Sequence, residues 1–416
     1  MPALEFFRLQ TRKEVLALYP RFAAVGTEEV DLTAALGRVV AAPIAAPEAV
    51  PGFPRASMDG YAVAARDTFG ASVGMPAYLR VVGEIPMGRA PERAIAPEEA
   101  MRIPTGGMLP SGADAVVMVE YTAEHLDGTL EVRRPVAPGE NVLHPGEDVA
   151  QGEVLFPPGR RLRPQEIGLL AALGLTHLKA YKKPRVAILS SGDEVVPLAR
   201  QPAPGQVRDS NAYLAAAQVE EWGGLPEILG IIPDDFQALR SALAAALAAA
   251  DLLLVSGGSS VGMRDLTLAA IQDLPGATIL VHGVALRPGK PTILAALGEN
   301  PVKPLLGLPG HPASAAVVME VLGRPLLAHL AGLASPPPWS RSVAARLSRN
   351  LAGASGREDY VRVRLRVEGD TLWADPVLGP SGLLSPLIKS HGLVMIPLGV
   401  EGIFKGEEVT VQLFGR

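Results

Sequence analysis

Apolar runs and amphipathic segments alternate regularly in the second half of the chain. Val186 to Leu189, Leu225 to Ile232 and Leu252 to Val255 are short apolar runs typical of buried strands. Between them, Asn211 to Trp222 and Asp235 to Ala249 have the three- and four-residue apolar spacing of amphipathic helices. This alternation predicts a three-layer α/β domain with a mostly parallel sheet, whose ligands bind in loops beyond the carboxyl ends of the strands.

The series continues toward residue 330. Its further predicted elements are a helix over Leu266 to Leu274, strands over Thr278 to Ala285, Thr292 to Ala296 and Pro304 to Leu308, and a helix from Pro312. Asp209 and Ser210 are candidate caps of the helix at Asn211, because short polar side chains accept hydrogen bonds from free helical amides. Gly223 and Gly224 are predicted to end that helix.

The first part of the chain follows a different pattern. Its first forty residues are predicted to be helical, with an apolar face at Val15 to Leu18 and a second stretch, Asp31 to Leu36, ending at Gly37. From Pro51 to Asn141, short apolar runs separated by Gly and Pro clusters predict a β-rich insert. Arg163 to Leu173 is predicted to be helical again, so the two helical segments are expected to form one discontinuous domain around the insert.

The chain after residue 334 predicts a further β domain. Ser335-Pro-Pro-Pro-Trp is a stiff linker, because consecutive prolines favour an extended conformation. Val361 to Val367 alternates with period two, Gly369-Asp370 makes a turn, and Leu372 to Ala374 resumes the pattern, which predicts a hairpin of a small β-barrel or sandwich. Its three arginines on one strand face fit a solvated surface better than a nucleic-acid interface.

The predicted fold is therefore multidomain, α/β plus β. We expect a discontinuous, elongated helical domain I at 1–50 and 141–182, a β-rich insert (domain II) at 51–140, a central three-layer α/β domain III at 183–333 and a C-terminal small β-barrel (domain IV) at 334–416. A length of 416 residues supports several domains.

Composition narrows the function classes. The chain has 48% hydrophobic and 19% charged residues, which is typical of a globular protein. It has no cysteine, so disulfides, thiolate metal sites and cysteine nucleophiles are excluded. The net charge of -5 without basic blocks argues against nucleic acid as a partner. We expect no membrane span and no export signal in the sequence, and therefore a cytoplasmic location.

Four loops that follow predicted strands carry the densest chemistry. They are SSGDE at 190–194, SGGSSVG at 256–262, LRPGKP at 286–291 and PGHPAS at 309–314. Glycines let backbone amides approach an oxyanion, serines add donors, and two basic side chains supply charge, which together predict an anion-binding pocket. The candidate ligand-binding residues are Ser190, Gly192, Asp193, Gly257, Gly258, Ser259, Ser260, Gly262, Arg287, Gly289, Lys290, Pro309, Gly310 and Ser314.

Each loop also has a purely structural interpretation. A single glycine-rich loop is more often only a turn, and these loops match neither the P-loop nor the Rossmann fingerprint. Arg287 is compatible with an ordinary surface charge, and His311 with a loop histidine at a helix start. The occurrence of all four loops after strands of one sheet favours the binding site.

Three acids, Glu194, Asp234 and Asp265, fall in or beside the same loops. Carboxylates alone would repel an anionic ligand, whereas Mg2+ bridges carboxylates and ligand oxygens. Asp234 and Asp265 are therefore the candidate metal ligands, and helix capping is the alternative for both. In the insert, Asp59-Gly60 and Gly146-Glu-Asp are each compatible with simple turns.

The motifs SMDGYAV, RIPTGG, PGED, SSGDEVV, SGGSSVG, RPGKP and LPGHPASA occur in this order. Together they resemble the molybdopterin molybdenumtransferase family, which includes the gephyrin E domain. The resemblance implies a four-domain homodimer with an active site between the α/β domain of one subunit and the insert of the other. It also implies the reaction, in which adenylylated molybdopterin and molybdate give molybdenum cofactor and AMP with Mg2+ or a similar ion.

Residue by residue, the resemblance implies a catalytic set comprising Asp59, Thr105, Asp148, Glu194, Asp234 and Asp265. Lys290 matches the family, but Arg287 stands where lysine is frequent. Gly283 falls near a lysine of some members, and His311 replaces a frequent asparagine. In the last domain, the segment from 381 to 391 resembles a family loop that reaches the same cleft, with Ser385 as its candidate.

Two other functions remain open from the sequence. One is a molybdopterin adenylyltransferase, because the α/β domain resembles those enzymes, although that chemistry needs neither the insert nor the β-barrel. The other is a non-catalytic, gephyrin-like scaffold, which the intact acid set disfavours. Tungstate is a variant oxyanion that the sequence leaves open. The expected partners are the pterin substrate, the oxyanion, a second subunit, the adenylyltransferase and apo-molybdoenzymes.

Overall fold

The structure is a computed structural model that describes residues 9–257, 261–334 and 342–415, with side chains of 261–265 outside the description. The predicted proline linker at 335 lies outside the described residues. The chain divides into two compact units. One contains residues up to 42, 158–163 and everything from 177 onward, and the other contains 43–157 and 164–176.

Short strands and helices make up the chain before residue 182. They are α1 (Arg12–Leu16), β1 (Thr27–Asp31), β2 (Ile44–Ala45), β3 (Arg55–Ala56), β4 (Gly60–Val63), β5 (Ala77–Glu84), β6 (Glu99–Ile103), β7 (Ala115–Met118), β8 (Thr122–Glu124), β9 (Thr129–Val132), β10 (Val142–Leu143), β11 (Val154–Phe156), α2 (Pro164–Ala172) and β12 (His177–Tyr181). Short 3-10 helices lie at Tyr19–Arg21, Leu32–Ala34, Ala65–Thr68 and Val119–Tyr121.

Strands and helices alternate from 185 to 330. They are β13 (Arg185–Ser191), β14 (Val195–Val196), β15 (Val207–Arg208), α3 (Asn211–Glu221), β16 (Leu225–Ile232), α4 (Phe236–Ala249), β17 (Leu252–Ser256), α5 (Val261–Gln272), β18 (Thr278–His282), β19 (Leu286–Arg287), β20 (Ile293–Leu297), β21 (Lys303–Leu308), α6 (Pro312–Val318), a π-helical segment (Met319–Gly323) and α7 (Arg324–Leu330).

The last part of the chain is mostly strand. Its elements are β22 (Ser342–Leu347), β23 (Leu351–Ala352), β24 (Glu358–Glu368), β25 (Thr371–Pro376), α8 (Ser385–Ile388), β26 (Gly392–Ile396), β27 (Gly402–Ile403) and β28 (Glu408–Leu413). Because β24 pairs with both β25 and β26, the strands β24, β25, β22, β28 and β26 close into a barrel. The predicted hairpin of β24 and β25 and the C-terminal barrel are confirmed.

The central sheet has the order β16, β13, β17, β21, β20, β18 in the described part of the chain. Strands β16, β13, β17 and β21 are parallel neighbours, whereas β20 and β18 are antiparallel. Two buried clusters fill the faces of this sheet, one against α4 and α5 and the other against α3 and α6. The predicted three-layer, mostly parallel α/β domain is therefore confirmed, and its parallel strands direct their carboxyl ends to one edge.

The second unit contains the β-rich insert as predicted. Its main sheet has the order β7, β4, β6, β5, β9, β8 among the described residues. Two apolar clusters pack on its faces, with Val117 and Leu130 in one and Ile85 and Ile103 in the other. Strands β2 and β11, from either side of the insert, pair in an antiparallel ladder.

The helical prediction for the first forty residues was only partly right. The face at Val15 lies in α1, where Thr11 and Glu14 form a reciprocal capping box. Residues Thr27–Asp31 are instead strand β1, which pairs with β12 from beyond the insert. This pairing brings together two distant segments, and such a long-range partner overrides local helical propensity. The stretch from Asp31 has one 3-10 turn, at Leu32–Ala34.

One described helical stretch, Pro312–Leu330, is long and apolar enough by composition to cross a membrane, but 78% of its 18-residue apolar window is buried inside the protein. Its π-helical segment disturbs the regular ladder of helical hydrogen bonds. Two side chains from the N-terminal segment bond carbonyls there, since Arg12 donates to Val321 and the Tyr19 hydroxyl donates to Leu322. These features are those of a core helix of the α/β domain.

Candidate functional site

A cavity of about 410 Å³ opens at the carboxyl edge of the central sheet. Two of the predicted loops, the one containing β19 and the one before α6, form most of its wall, and the barrel supplies the rest. Three cationic side chains border it, which makes it suited to an anion. The lining residues are Leu286, Arg287, Pro288, Gly289, Lys290, Pro291, Pro309, Gly310, His311, Ser314, Arg357 and Ser381.

Arg287 is held in the cavity wall by the barrel. Strand β19 pairs in parallel with β24, which places Arg287 opposite Asp359. The Arg287 Nη2 lies 3.0 Å from Oδ2 of Asp359, whose side chain is only 4% exposed. Burial raises the pKa of Asp359, although the Arg287 charge opposes that effect. Arg287 is half exposed, so its charge still faces the cavity.

Gly289 allows the same loop to pack closely on α6. Its backbone has φ +122°, and a Cβ there would lie 2.6 Å from Cγ2 of Val318. Both the left-handed backbone and the space therefore require glycine. The close approach places the loop of Lys290 against the helix that carries Ser314.

The barrel covers the start of α6 with the loop around Ser381. The Ser381 carbonyl accepts a hydrogen bond from the Ala313 amide at 3.0 Å, and its Oγ lies 2.9 Å from Nδ1 of His311. Arg362 supports this loop by donating to the Gly379 carbonyl at 2.8 Å. Burial lowers the pKa of Arg362. The solvated-face prediction was thus wrong for Arg362, which turns toward this loop instead of solvent.

Two buried serines end strand β13 at the carboxyl edge of the same sheet. Ser190 and Ser191 are 2% and 1% exposed. Among the described residues, neither hydroxyl has a hydrogen-bond partner. Gly257, after β17, approaches them so closely that a Cβ would lie 2.2 Å from the Ser191 Oγ. These unpaired hydroxyls are donors that a ligand or solvent can satisfy.

Three acids gather after β13 and β16. The Asp193 amide donates to Oδ2 of Asp234, and the Asp234 amide donates to Oδ1 of Asp193, both at 3.2 Å. The other Asp234 oxygen is buried without a partner in the described structure. Burial, followed by the negative charges of Asp193 and Glu194, raises the pKa of Asp234. Asp234 is not the helix cap, because Asp235 accepts from the Ala238 amide at 2.8 Å.

This acid group does not form a closed metal site by itself. Within the described ranges, no set of three or more potential ligands converges on one point. Mg2+ commonly uses one or two protein carboxylates, several waters and substrate phosphates. The unpartnered oxygen of Asp234 therefore fits an ion that binds together with its substrate.

Asp59 and Thr105 form a separate pair in the second unit. The backbone amide and hydroxyl of Thr105 both donate to Oδ1 of Asp59 at 2.7 Å. These bonds hold the pKa of Asp59 below its usual range. Asp59 precedes β4, so the predicted turn leads directly into a strand. Asp148 is exposed in the turn after β10, and its amide donates to the Val50 carbonyl.

Replacing Thr105 by valine should raise the pKa of Asp59, because one of the two hydrogen bonds to its carboxylate is lost. A depressed carboxyl pKa stabilises the fold above the unfolded-state pKa, and the effect disappears as pH falls through the folded value. Carboxyl carbon NMR titration would measure the shift. Thr122→Val is the control, because the Thr122 hydroxyl donates only to the Val119 carbonyl. An unchanged Asp59 titration would contradict the predicted role of the hydroxyl.

Three family models match the chain in succession. The MoeA N-terminal region (domain I and II) matches residues 9–174, a probable molybdopterin binding domain matches 187–329, and the MoeA C-terminal region (domain IV) matches 344–414. The chain belongs to the MoeA family. The family resemblance seen in the motifs is confirmed, and the MoeA chain is an enzyme of molybdenum cofactor biosynthesis, of the transferase class.

Relatives match this MoeA chain over nearly its whole length. A putative molybdopterin biosynthesis protein of Methanocaldococcus jannaschii is 37% identical, covering 93% of this chain and 92% of the relative. A molybdopterin molybdenumtransferase of Nostoc sp. is 38% identical, covering 92% and 88%. A crystal structure of molybdopterin biosynthesis MoeA protein from Pyrococcus horikoshii OT3 has a TM-score of 0.85 at 30% identity, covering 98% of this chain and 100% of that chain.

The structure places the predicted site residues of the MoeA chain in separate parts of the fold. Two groups lie at the carboxyl edge of the sheet: the cavity loops after β18 and β21, and the serine and acid loops after β13 and β16. Ser385 is exposed and begins α8, and it does not line the cavity. Gly258, Ser259 and Ser260 lie outside the described residues. Gly262 and Asp265 lie on α5, and the side chain of Asp265 is outside the description.

Sequence reasoning missed two residues that line the cavity and one that bonds its wall. Arg357 and Ser381 come from the barrel domain, and only Ser381 fell within a segment that the sequence had singled out. Asn211 was assigned to a helix without a role, although its side chain bonds two of the predicted loops. Its position directly after the capping candidates Asp209 and Ser210 was the one signal in the sequence. Of those two, Asp209 bonds the Ala212 amide, whereas Ser210 makes no side-chain cap bond.

Proposed function

We propose that this protein inserts molybdenum from molybdate into adenylylated molybdopterin, giving molybdenum cofactor and AMP. The observation that carries the proposal is the cationic cavity at the sheet edge, where Arg287, Lys290 and Arg357 surround a space of about 410 Å³. An oxyanion needs several positively charged or amide donors at once. The cavity offers these at the same sheet edge to which β13 and β17 direct Ser190, Ser191 and Gly257, which are proposed to bind the nucleotide and pterin.

In this proposal, one group of residues binds molybdate and another binds the pterin substrate. The cavity cations and the buried Ser314 bind and orient molybdate. Ser190, Ser191 and the amides around Gly257 bind the phosphate-bearing part of the pterin substrate, since the free hydroxyls there are unpaired within the described part of the protein. Holding both substrates in one orientation lowers the entropic part of the barrier. No side-chain nucleophile is required.

Asp234, with Asp193 and Glu194 beside it, would hold Mg2+ in this proposal, and Asp265 is the second candidate from the family resemblance. The ion would supply positive charge between these carboxylates and the substrate oxygens. The raised pKa of Asp234 and its unpartnered oxygen support this assignment. Asp148 remains a candidate from the resemblance alone.

We also propose a cytoplasmic homodimer, as the family resemblance implies. In this proposal Asp59 and Thr105 serve the active site of the partner subunit. The four-domain division at 1–50 with 141–182, 51–140, 183–333 and 334–416 stays part of this proposal, and the adenylyltransferase and apo-molybdoenzymes are the proposed protein partners. Light scattering after size-exclusion chromatography would test the dimer, since a single-chain mass would contradict it.

Release of AMP from adenylylated molybdopterin tests the proposed reaction. Wild-type protein should release AMP only with both molybdate and Mg2+ present, and the product should activate an apo-molybdoenzyme. Asp265→Ala should keep the fold and abolish release. Consumption of ATP with formation of the adenylylated pterin would show an adenylyltransferase instead. Tight pterin binding without turnover would favour a scaffold, and faster turnover with tungstate would change the assigned oxyanion.

A further inference from the structure

Asn211 lies beside the ends of two neighbouring strands, β17 and β21, whose following loops are proposed to bind the two substrates. It is the first residue of α3 and is 9% exposed. Strands β17 and β21 are parallel neighbours, with Ser256 opposite Leu308. The loops that leave these strands are the glycine loop at 257 and the loop that begins the cavity wall at 309. The side chain of Asn211 bonds Ser256, the last residue of β17 before the glycine loop, and Gly310 in the second loop.

The Asn211 amide nitrogen makes one bond to the end of β17 and one to the loop after β21. Nδ2 donates to Oγ of Ser256 at 2.9 Å and to the carbonyl of Gly310 at 2.8 Å. A carbonyl oxygen only accepts, so the nitrogen, not the oxygen, must face Gly310. Both hydrogens of the amide are therefore used, and the orientation of the side chain is fixed. The bridge therefore connects the end of β17 to the loop that follows β21.

The side-chain oxygen of Asn211 argues against a role in stability alone. Its Oδ1 is buried and has no hydrogen-bond partner in the described structure. An apolar residue at the start of α3 would avoid burying an unpaired acceptor. The polar side chain is therefore better explained by its bridge between the loops than by the stability of the helix.

We infer that Asn211 is a positioning residue that sets the distance between the pterin-binding glycine loop and the molybdate-binding cavity. The inference rests on the proposed function, because it assigns one substrate to each loop. Asn211 does not itself contact the reacting atoms in this scheme. It fixes the loops so that the two bound substrates meet, and displacement of reacting groups by about 1 Å can slow a reaction about 100-fold.

The chain supplies a matched control in Gln218 on the same helix. Gln218 also has a side-chain amide, and its Oε1 is also buried without a partner in the described part of the protein. Its Nε2 contacts the Ala316 carbonyl in α6 at 3.4 Å and neither of the two loops. Substitutions at 211 and at 218 therefore both alter a side-chain amide of α3, but only those at 211 remove the bonds to Ser256 and Gly310.

The test compares Asn211→Asp and Asn211→Ala with Gln218→Glu and Gln218→Ala in the full-length protein. Steady-state AMP release gives kcat and KM for molybdate, and thermal unfolding gives Tm. Both Asn211 variants should lower kcat at least tenfold, with KM for molybdate within about threefold and Tm within a few degrees of wild type. The Gln218 variants should keep the wild-type kcat. A kcat within twofold for both Asn211 variants would overturn the inference, as would equal losses at 218.

Hydrogen exchange separates this inference from the proposed reaction. The amides of Gly257 and His311 should exchange faster in both Asn211 variants than in wild type or the Gln218 variants. If wild-type protein releases no AMP, the proposed reaction is wrong, but the exchange rates still decide whether Asn211 holds the loops. Unchanged exchange at both loops would refute the bridge whatever the activity. A rise in molybdate KM at constant kcat would assign Asn211 to binding instead of positioning.

Discussion

Replacing Asp234 by asparagine should lower kcat for AMP release on the order of 100-fold while leaving the fold at least as stable as wild type. The asparagine oxygen can still accept the Asp193 amide, which now bonds Oδ2 of Asp234 at 3.2 Å. What is lost is the negative charge proposed to hold Mg2+. Steady-state rates at several Mg2+ concentrations and thermal unfolding would measure the two effects.

The pH dependence of this stability effect has a defined sign. The folded-state pKa of Asp234 is raised, by burial first and then by repulsion from Asp193 and Glu194. Between the unfolded-state and folded-state pKa values, the native state therefore binds more protons than the unfolded state. Above both values, the ionised carboxylate of Asp234 lowers the free energy of unfolding. Asp234→Asn removes that cost, so any gain in Tm should be present at neutral pH and disappear under acidic conditions near the unfolded pKa.

Asp235→Asn is the matched control for this prediction. Asp235 is the adjacent acid and caps α4 by accepting from the Ala238 amide, a role that asparagine also performs well. Its variant should keep wild-type kcat and Tm. If Asp234→Asn retained wild-type activity, or if both variants lost it equally, the assignment of Asp234 to the metal would have to be abandoned.

Arg287→Ala should weaken molybdate binding and destabilise the fold at the same time. Loss of one charge-assisted contact to the oxyanion should raise KM for molybdate about tenfold or more. The same change leaves the carboxylate of Asp359 buried without its ion pair, which should cost about 2 to 3 kcal/mol of unfolding free energy. Denaturant unfolding and molybdate-dependent AMP release would measure each effect separately.

A second substitution separates the two roles of Arg287. The double variant Arg287→Ala/Asp359→Asn lacks the buried charge of Asp359. It should therefore recover most of the unfolding free energy that Arg287→Ala loses, while its KM for molybdate stays high. Arg364→Ala is the control, since Arg364 is exposed on the same barrel strand and its pair with Asp375 is 3.8 Å long. Recovery of the wild-type KM in the double variant would show that Arg287 acts only through the fold.

The sequence alone determined the architecture of the α/β domain and the sheet edge at which its cavity lies. Apolar runs and amphipathic spacing are local properties, and they predicted β16 with both of its ends and α3 to within one residue. Parallel strands direct their carboxyl ends to one edge of a sheet. For that reason the order of strands and loops along the chain is enough to assign the loops of Arg287, Lys290 and Pro309 to one pocket.

Only the tertiary structure decided how distant segments complete that site. Residues Thr27–Asp31 become a strand because β12, beyond the insert, pairs with them. Arg357 reaches the cavity and Arg362 is buried because the barrel packs beside the sheet-edge loops, and Asn211 bridges loops that are far from it along the chain. Periodicity reports which face of an element is apolar, but the partner of that face depends on long-range packing, which no local pattern contains.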